Sequence, residues 1–488
     1  MRDDSIRQHL GERNPWWKAQ VLGEEATAWT ERHPVLQGLA RYDIGYRTEV
    51  LDDVATDPLG DRVIVLSGPR RIGKSVAMLQ LAAALCERGD VDPRQIIHVP
   101  CDTLTLQDVR RVLTLARSMT ESVDLDGARP RVWLFDEITS VRGWSSVFKD
   151  ARDNTAFAHD TVIATGSRWD PDEDVEGNLM AGRAGSETRR RRVLLPMSFR
   201  EFIGTTRENL PALPRVHPGH LQSDETRAQL AETGLFVDEF DLAWQQFLSV
   251  GGFPRAVAEY VRNGAVSDAY LQDLQAWLHR DVDPESTPES VPLLLEALSE
   301  RATSPLAVNP TAIIIGRTRA ALETRLTRMV SSHAVLRCPQ RDDSGALVPR
   351  TQSKHYLTDP VLSWLPSRLR AGSKAPAMTS LTEQTIGVHL ARAVDAHSEG
   401  RWLAGDTIGY VRTSNDREID LSSISLPSDA GTVMTVPIES KWVSRGWKSE
   451  ARVIVGKYQR GILATKSILD TSGEVWAVPA PLLAMALL

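Results

Sequence analysis

The chain has 488 residues, a net charge of −7, 42% hydrophobic and 25% charged residues, the balance of a soluble globular protein of about two to four domains. The acidic excess excludes nucleic-acid binding through the whole surface and leaves local basic patches open. Cys86, Cys101 and Cys338 show no paired or metal-like spacing, which excludes a disulfide framework and suits a reducing cytoplasm. No run approaches about 18 apolar residues, so no membrane-spanning helix is expected, and MRDDSIRQHLGERNPWW lacks the apolar core of a secretion signal.

Residues 1–60 read as a helical arm. Trp16, Trp17, Trp29 and Tyr42 would dock it onto a core; a binding role for the Trp16–Trp17 pair is the other reading.

Val63 to Leu79 (VIVLSGPRRIGKSVAML) runs from an apolar strand through a Gly-containing turn into an apolar-periodic helix. Gly68-Pro-Arg-Arg-Ile-Gly-Lys74-Ser75 is a full GxxxxGK[ST] match. Backbone N–H groups reach phosphate oxygens only where no Cβ intervenes, and the helix turns its positive end towards them. The expected nucleotide contacts are Gly68, Pro69, Arg70, Arg71, Ile72, Gly73, Lys74, Ser75 and Val76. Lys74 would reach the β- and γ-phosphates and the Ser75 hydroxyl would ligate Mg²⁺. The chain has 57 Lys and Arg but only nine Lys, and Lys74 stands alone between Lys18 and Lys149.

Gln95 to Pro100 reads as the second strand, with Asp102 just past its end, where ligand-proximal residues of a parallel sheet collect. Residues 105–119 read as an amphipathic helix. Arg131 to Glu137 (RVWLFDE) is a buried strand running into two acids. Behind a P-loop, Asp136 is expected in the Mg²⁺ shell and Glu137 is expected to polarise the attacking water. Thr161 to Ser167 (TVIATGS) is a further buried strand. The run Arg189–Arg192 reads as a solvated strand edge, as a phosphate contact for nucleic acid, or as a cation acting on a neighbouring ATP. Arg183 is the other candidate for that charge-stabilising role.

Together GPRRIGKS, WLFDE, ATGS, the AGR around Arg183 and LLPMSFREF (Leu194 to Phe202), followed by GGFP (Gly251 to Pro254) and KHYLTDP (Lys354 to Pro360), resemble the prokaryotic AAA-type ATPases that join a P-loop core to a C-terminal half of uncharacterised function. The resemblance spans roughly residues 60 to 460. It implies an α/β fold with a doubly wound, AAA-like P-loop core, a helical middle segment of winged-helix character and a C-terminal restriction-endonuclease-like α/β domain. In such ATPases a polar residue after the TVIATGS strand senses the γ-phosphate; Ser167 is the candidate, with Thr165 next.

The expected divisions are an arm (1–60), the ATPase core (61–205), a helical segment (206–290), a winged-helix-like domain (291–368) and a nuclease-like domain (381–488), with 366–380 as linker. His217 and His220 lack a partner pair at ligand spacing and read as loop residues. Between Arg301 and Arg341 there are seven Arg against one Glu. Arg317, Arg319, Arg325 and Arg328 are candidate DNA contacts of a helix-turn-helix; winged helices that bind proteins, with arginines merely solvating a face, are the other reading.

In the last domain Glu418-Ile-Asp420 opens one strand, after a turn at 414–417, and TVPIESKW (Thr435 to Trp442) forms another. Glu439 and Lys441 project together, since i and i+2 share a face. This D…ExK pattern resembles the PD-(D/E)XK nuclease arrangement. It would make Asp420 and Glu439 metal ligands and Lys441 the water-activating cation, with Glu383 completing the acidic cluster. Ser440 sits where the pattern usually has an apolar residue. Arg445, Lys448, Arg452, Lys457 and Arg460 would follow a DNA backbone.

The expectation is therefore an ATP- and Mg²⁺-dependent switch or motor, with no membrane association and a core compatible with a homo-oligomer. Its partner is DNA in one reading, with or without cleavage. In the other the C-terminal half holds a protein partner and cuts nothing.

Overall fold

The computed structural model describes residues 1–124, 129–168, 175–207, 209–398, 407–413, 417–428 and 431–488. The expected turn at 414–417 falls mostly outside these residues. The chain divides into two compact units, Met1–Leu194 and Leu195–Leu488.

The first unit is built on five parallel strands, β1 (Arg62–Ser67), β2 (Ile96–Pro100), β3 (Val132–Asp136), β4 (Thr161–Gly166) and β5 (Arg191–Val193), in the order β2-β3-β4-β1-β5. Every residue of β1, β3 and β4 is buried, which is why these stretches read as continuous apolar runs rather than alternating ones. The helices Lys74–Cys86, Leu106–Met119 and Trp144–Asn154 make the crossovers. Thr105 and Asp108 start the second of these with a reciprocal capping box. Strand β4 lies between β1 and β3, so the acidic strand is one strand removed from the P-loop strand.

The arm of residues 1–60 belongs to this unit, and its docking is specific. On the outer edge of β2, the Asn14 side chain accepts from His98 N at 2.6 Å and donates to His98 O at 2.9 Å. Both the Trp16 and Trp17 indoles donate to Ile96 O, at 3.0 and 2.8 Å. A sheet edge that would otherwise present open backbone groups is closed by side chains. At the other edge, Arg192 is buried and makes two 2.6 Å bonds to the Asp53 carboxylate, besides one to Val50 O. Arg190 donates to Glu187 O and Met180 O, and burial holds the Arg191 guanidinium down to about 10. The arginine run is thus an internal tie between β5 and the arm, not a solvated edge.

Residues Leu195–Leu488, across the expected boundaries at 206, 291 and 381, cluster as one compact unit. Helices run from Phe199–Thr206, with the Ser198–Glu201 capping box, to Arg319–Ser331. They are followed by the antiparallel pair β6 (Val335–Cys338) and β8 (Lys354–Leu357). Between these two, β7 (Gln340–Arg341) pairs in parallel with β9 (Tyr410–Arg412), which pairs with β10 (Glu418–Ile419). Thus the segment expected to form a separate winged-helix domain shares a sheet with the one after it. The 366–380 linker shrinks to residues 370–377, because the helix Pro360–Leu369 continues through Pro366 and the next, Met378–His397, begins early. After the hairpin β11–β12 (Ser425–Ser428, Gly431–Met434) come the parallel strands β13 (Ile438–Ser440), β14 (Gly461–Thr465) and β15 (Val475–Pro479), and the buried helix Ala480–Leu487.

Three of the resemblance motifs meet in one knot. Gly252 N donates to Asp359 Oδ2 at 2.7 Å and Met197 N donates to Gly252 O at 2.7 Å. A Cβ at Gly252 would collide with the Met197 backbone, and one at Gly251, which is left-handed (φ 78°), with the Asp359 carboxylate. Asp359 also caps the helix Pro360–Leu369 through Val361 N. LPMSFREF, GGFP and KHYLTDP therefore pack against one another. His217 is likewise satisfied: its Nδ1 accepts from Gly219 N and its Nε2 meets Pro427 O at 3.0 Å.

Asn14→Ala strands the edge groups of β2 and should cost about 2–4 kcal/mol in chemical denaturation; an unchanged midpoint would contradict the edge-closing role. Burial pushes the Asp359 carboxyl up to about 7, against the two N–H groups it accepts. The folded chain then holds a proton that an unfolded carboxyl releases near pH 4, so stability should fall as pH rises from about 4 to 7. Asp359→Asn should flatten part of that slope in urea titrations at several pH values.

Candidate functional site

The carboxyl ends of β1, β3 and β4 collect the polar side chains of the first unit. After Ser67 the chain turns at Gly68, where a Cβ would collide with the Leu194 carbonyl. Arg71 and Gly73 both adopt left-handed backbone (φ 66° and 102°), and successive N–H groups in such a turn form an anion-binding concavity. The helix Lys74–Cys86 starts immediately after it. The Lys74 ammonium, 4% exposed, donates to Gly68 O and Pro69 O, both at 3.0 Å, and lies 3.7 Å from Glu137 Oε1. Burial lowers its pKa, with Glu137 and Asp136 pulling the other way. Pro69 and Ile72 are buried, while Arg70, Ser75 and Val76 are partly exposed and Arg71 is exposed.

Asp136 ends β3 and Glu137 follows in left-handed backbone (φ 54°), a conformation that costs a non-glycine residue and is kept where surroundings impose it. The imposing group is Thr165 on β4. Its hydroxyl donates to Asp136 Oδ1 at 2.8 Å and accepts from Glu137 N at 3.0 Å. Ser167 N donates to Glu137 Oε2 at 3.2 Å. Gly166 between them leaves room for Thr139, which a Cβ would strike. Asp102 has its pKa raised by burial and by the Glu137 and Asp136 charges, which places it in the same electrostatic neighbourhood. Of the predicted residues, Lys74, Asp136, Glu137 and Ser167 converge. Sequence reasoning ranked Thr165 second, yet its side chain holds both acids, whereas Ser167 acts through its main chain. The donor set, a hydroxyl and a carboxylate beside an N–H-lined turn, fits nucleotide phosphates with a hard cation such as Mg²⁺.

Arg183 lies elsewhere. It pairs with Asp153 at 2.7 Å. Gly185, two residues on, bridges to Arg62 at the amino end of β1. The P-loop leaves the other end of that strand, about 17 Å away, so Arg183 cannot neutralise charge at its own chain's P-loop.

This fold and site define a P-loop nucleoside-triphosphatase. Residues 60–203 match the family model described as an AAA domain, which supports ATPase activity. An uncharacterised protein of Haemophilus influenzae is 22% identical over 345 residues, 68% of this chain and 75% of that one. Among solved structures, a Walker-type ATPase of Pyrococcus abyssi covers 67% of this chain and 96% of its own at 16% identity (TM-score 0.39). The RuvB Holliday junction branch migration motor of Thermotoga maritima covers 62% and 89% at 14% identity (TM-score 0.27).

In the second unit the structure assembles Glu383, Asp420, Glu439 and Lys441, and adds two residues that sequence reasoning did not assign, Lys354 and Glu418. Lys441 Nζ lies 2.8 Å from Glu439 Oε1, and Asp420 N donates to Glu439 Oε2 at 3.1 Å. Lys354 bonds Glu383, Glu418 and Asp420. Burial raises the pKa of Glu439 and of Glu383, helped by the Asp420 charge; burial also works against ionisation of Asp420, but Lys354 and Lys441 outweigh it and lower its pKa. The predicted metal ligands are thus brought together, but with protein donors already on their oxygens. The cluster does not fit a divalent ion as it stands. The signal for Lys354 was its rarity, a lysine opening an apolar strand in a chain with nine.

The arginines expected to touch DNA are largely engaged. Arg325 is buried and pairs with Asp283, Arg328 forks onto Glu285 at 2.7 Å twice, and Arg317 donates to Ser286 at 2.7 Å. Arg319 pairs with Glu323 one turn on. Lys457, expected along a DNA backbone, pairs with Asp343.

Thr165→Val should leave ATP binding intact and lower turnover about 10- to 100-fold, as loss of a group that orients a metal-shell carboxylate does. Thr165→Ser should restore it. Equal turnover in both variants, measured by phosphate release, would remove Thr165 from the site.

Proposed function

We propose that the first unit binds ATP with Mg²⁺ at Gly68–Val76 and hydrolyses it, driving a switch whose output lies in the second unit. The carrying observation is the chain Lys74–Glu137–Thr165–Asp136. Ser75 and Asp136 would hold the cation, which supplies charge neutralisation on the phosphates. Lys74 would leave the Gly68 and Pro69 carbonyls for the β- and γ-phosphate oxygens. Glu137, oriented by Thr165 and Ser167 N, would take the proton of the attacking water, and Ser167 would report the γ-phosphate. Arg183, turned away from its own site, would act only on a neighbouring chain's nucleotide in a homo-oligomer.

For the output, DNA is the first reading. Its support is a groove of about 680 Å³ between the helix Arg319–Ser331 and the β6–β8 strands, with Arg319, Arg337 and Arg350 along it. The reading as a scaffold ATPase for a protein partner is favoured by a different observation, the pairing of Arg317, Arg325 and Arg328 with the 283–286 segment. DNA that stimulates hydrolysis, with a steep loss on adding salt, supports the first; hydrolysis indifferent to DNA supports the second.

Lys74→Ala should abolish ATP binding or turnover. Glu137→Gln should bind ATP and hydrolyse it about 10²–10⁴-fold more slowly. Nucleotide binding by fluorescence titration and single-turnover hydrolysis check both; full turnover in either variant would sink the assignment.

A further inference from the structure

Lys354 sits where the second unit's carboxylates converge. It enters on β8, outside the helix and strands that carry the acids, and its side chain has no exposure. Its ammonium lies 2.8 Å from Glu383 Oε1, 2.6 Å from Glu418 Oε1 and 2.7 Å from Asp420 Oδ1. An ammonium has three N–H donors, and each has a carboxylate. Other protein donors reach the same carboxylates. Tyr356 OH donates to Glu383 Oε1 at 2.9 Å and Ser440 N to Asp420 Oδ2 at 2.9 Å. Glu439 takes Lys441 on one oxygen and Asp420 N on the other. Both oxygens of Asp420 and both of Glu439 thus accept from the protein. Among the described residues no group of three or more His, Cys, Asp or Glu side chains is arranged to hold a metal ion.

Mg²⁺ or Mn²⁺ would need free carboxylate oxygens here, with waters completing its octahedral shell. To take Asp420 Oδ1 it would have to displace the buried Lys354 ammonium, leaving that charge unpaired, and to take Glu439 Oε1 it would have to displace Lys441. We propose that Lys354 is the resident cation of this cluster. The second unit takes no divalent metal at Asp420 and Glu439 and cleaves no phosphodiester there. The carboxylates instead clasp β8 to the helix Met378–His397, β10 and β13.

The test uses the full-length chain without nucleotide and Mn²⁺ as the probe, with free Mn²⁺ read by electron paramagnetic resonance. The wild type should bind no Mn²⁺ that depends on Asp420. One Mn²⁺ per chain that persists in Lys74→Ala and disappears in Asp420→Asn overturns the proposal without touching the ATPase reading. So does plasmid cleavage with Mg²⁺ or Mn²⁺ that Lys441→Ala abolishes. Lys354→Met should lower the melting temperature of the second unit by about 5–10 °C, and Mn²⁺ should raise it again in that variant but not in the wild type. A folded Lys354→Met with unchanged melting temperature overturns the clasp. Should that variant not fold, the wild-type Mn²⁺ titration decides alone.

Discussion

The Thr165 hydroxyl is a single oxygen on which two functional elements depend. It fixes one oxygen of Asp136 and the main chain of Glu137 at once, from a strand that neither acid belongs to. Without β4 between β1 and β3, the two acids would face the P-loop lysine at the close spacing of adjacent strands, with nothing to set the backbone of Glu137. With it, Glu137 bends into left-handed geometry and brings its carboxylate to 3.7 Å from the Lys74 ammonium. The sheet order therefore shapes the site. The inserted strand sets the distance between cation and acid, and its end supplies the group that orients the acid.

Buried charge organises the second unit in a different way. Its densest polar cluster holds four carboxylates and two ammonium groups, drawn from β8, the helix Met378–His397, β10, β13 and the segment just after it. Such a cluster gains little net stability over apolar packing, but it is intolerant of partial assembly, because one missing partner leaves an unpaired charge in a dry interior. It thereby specifies register between segments far apart in sequence. The Gly252–Asp359–Met197 knot does the same with backbone groups. These two devices explain why residues 195–488 form one compact unit although their sequence reads as three pieces.

The parallel sheet and its site were legible because their constraints are local. A strand buried on both faces must be apolar throughout, and a phosphate turn must place Gly, Lys and Ser in fixed positions. Hence the turn from Gly68 leads from β1 into the helix Lys74–Cys86, and Asp136 ends β3 with Glu137 next. Thr165 was less legible, since its role depends on which strand lies between which. The second unit was legible as elements but not as chemistry. Arg325 and Arg328 looked like free cations because Asp283 and Glu285, about forty residues earlier, gave no hint of their proximity. Arg192 looked exposed for the same reason, its partner Asp53 lying 139 residues away. Charge pairing across such separations has no periodicity to reveal it.

The closed edge of β2 has a consequence for the order of events during synthesis. Asn14 and the Trp16–Trp17 pair leave the ribosome about eighty residues before the strand they seal. When the apolar Ile96–Val99 segment emerges, its cover is already present on the same chain, and β3, the partner of its other edge, follows within about forty residues. An exposed strand edge is a site for unwanted pairing, and this one is covered by a segment made before it. The four hydrogen bonds that close this strand's outer edge therefore come from side chains already made when the strand emerges.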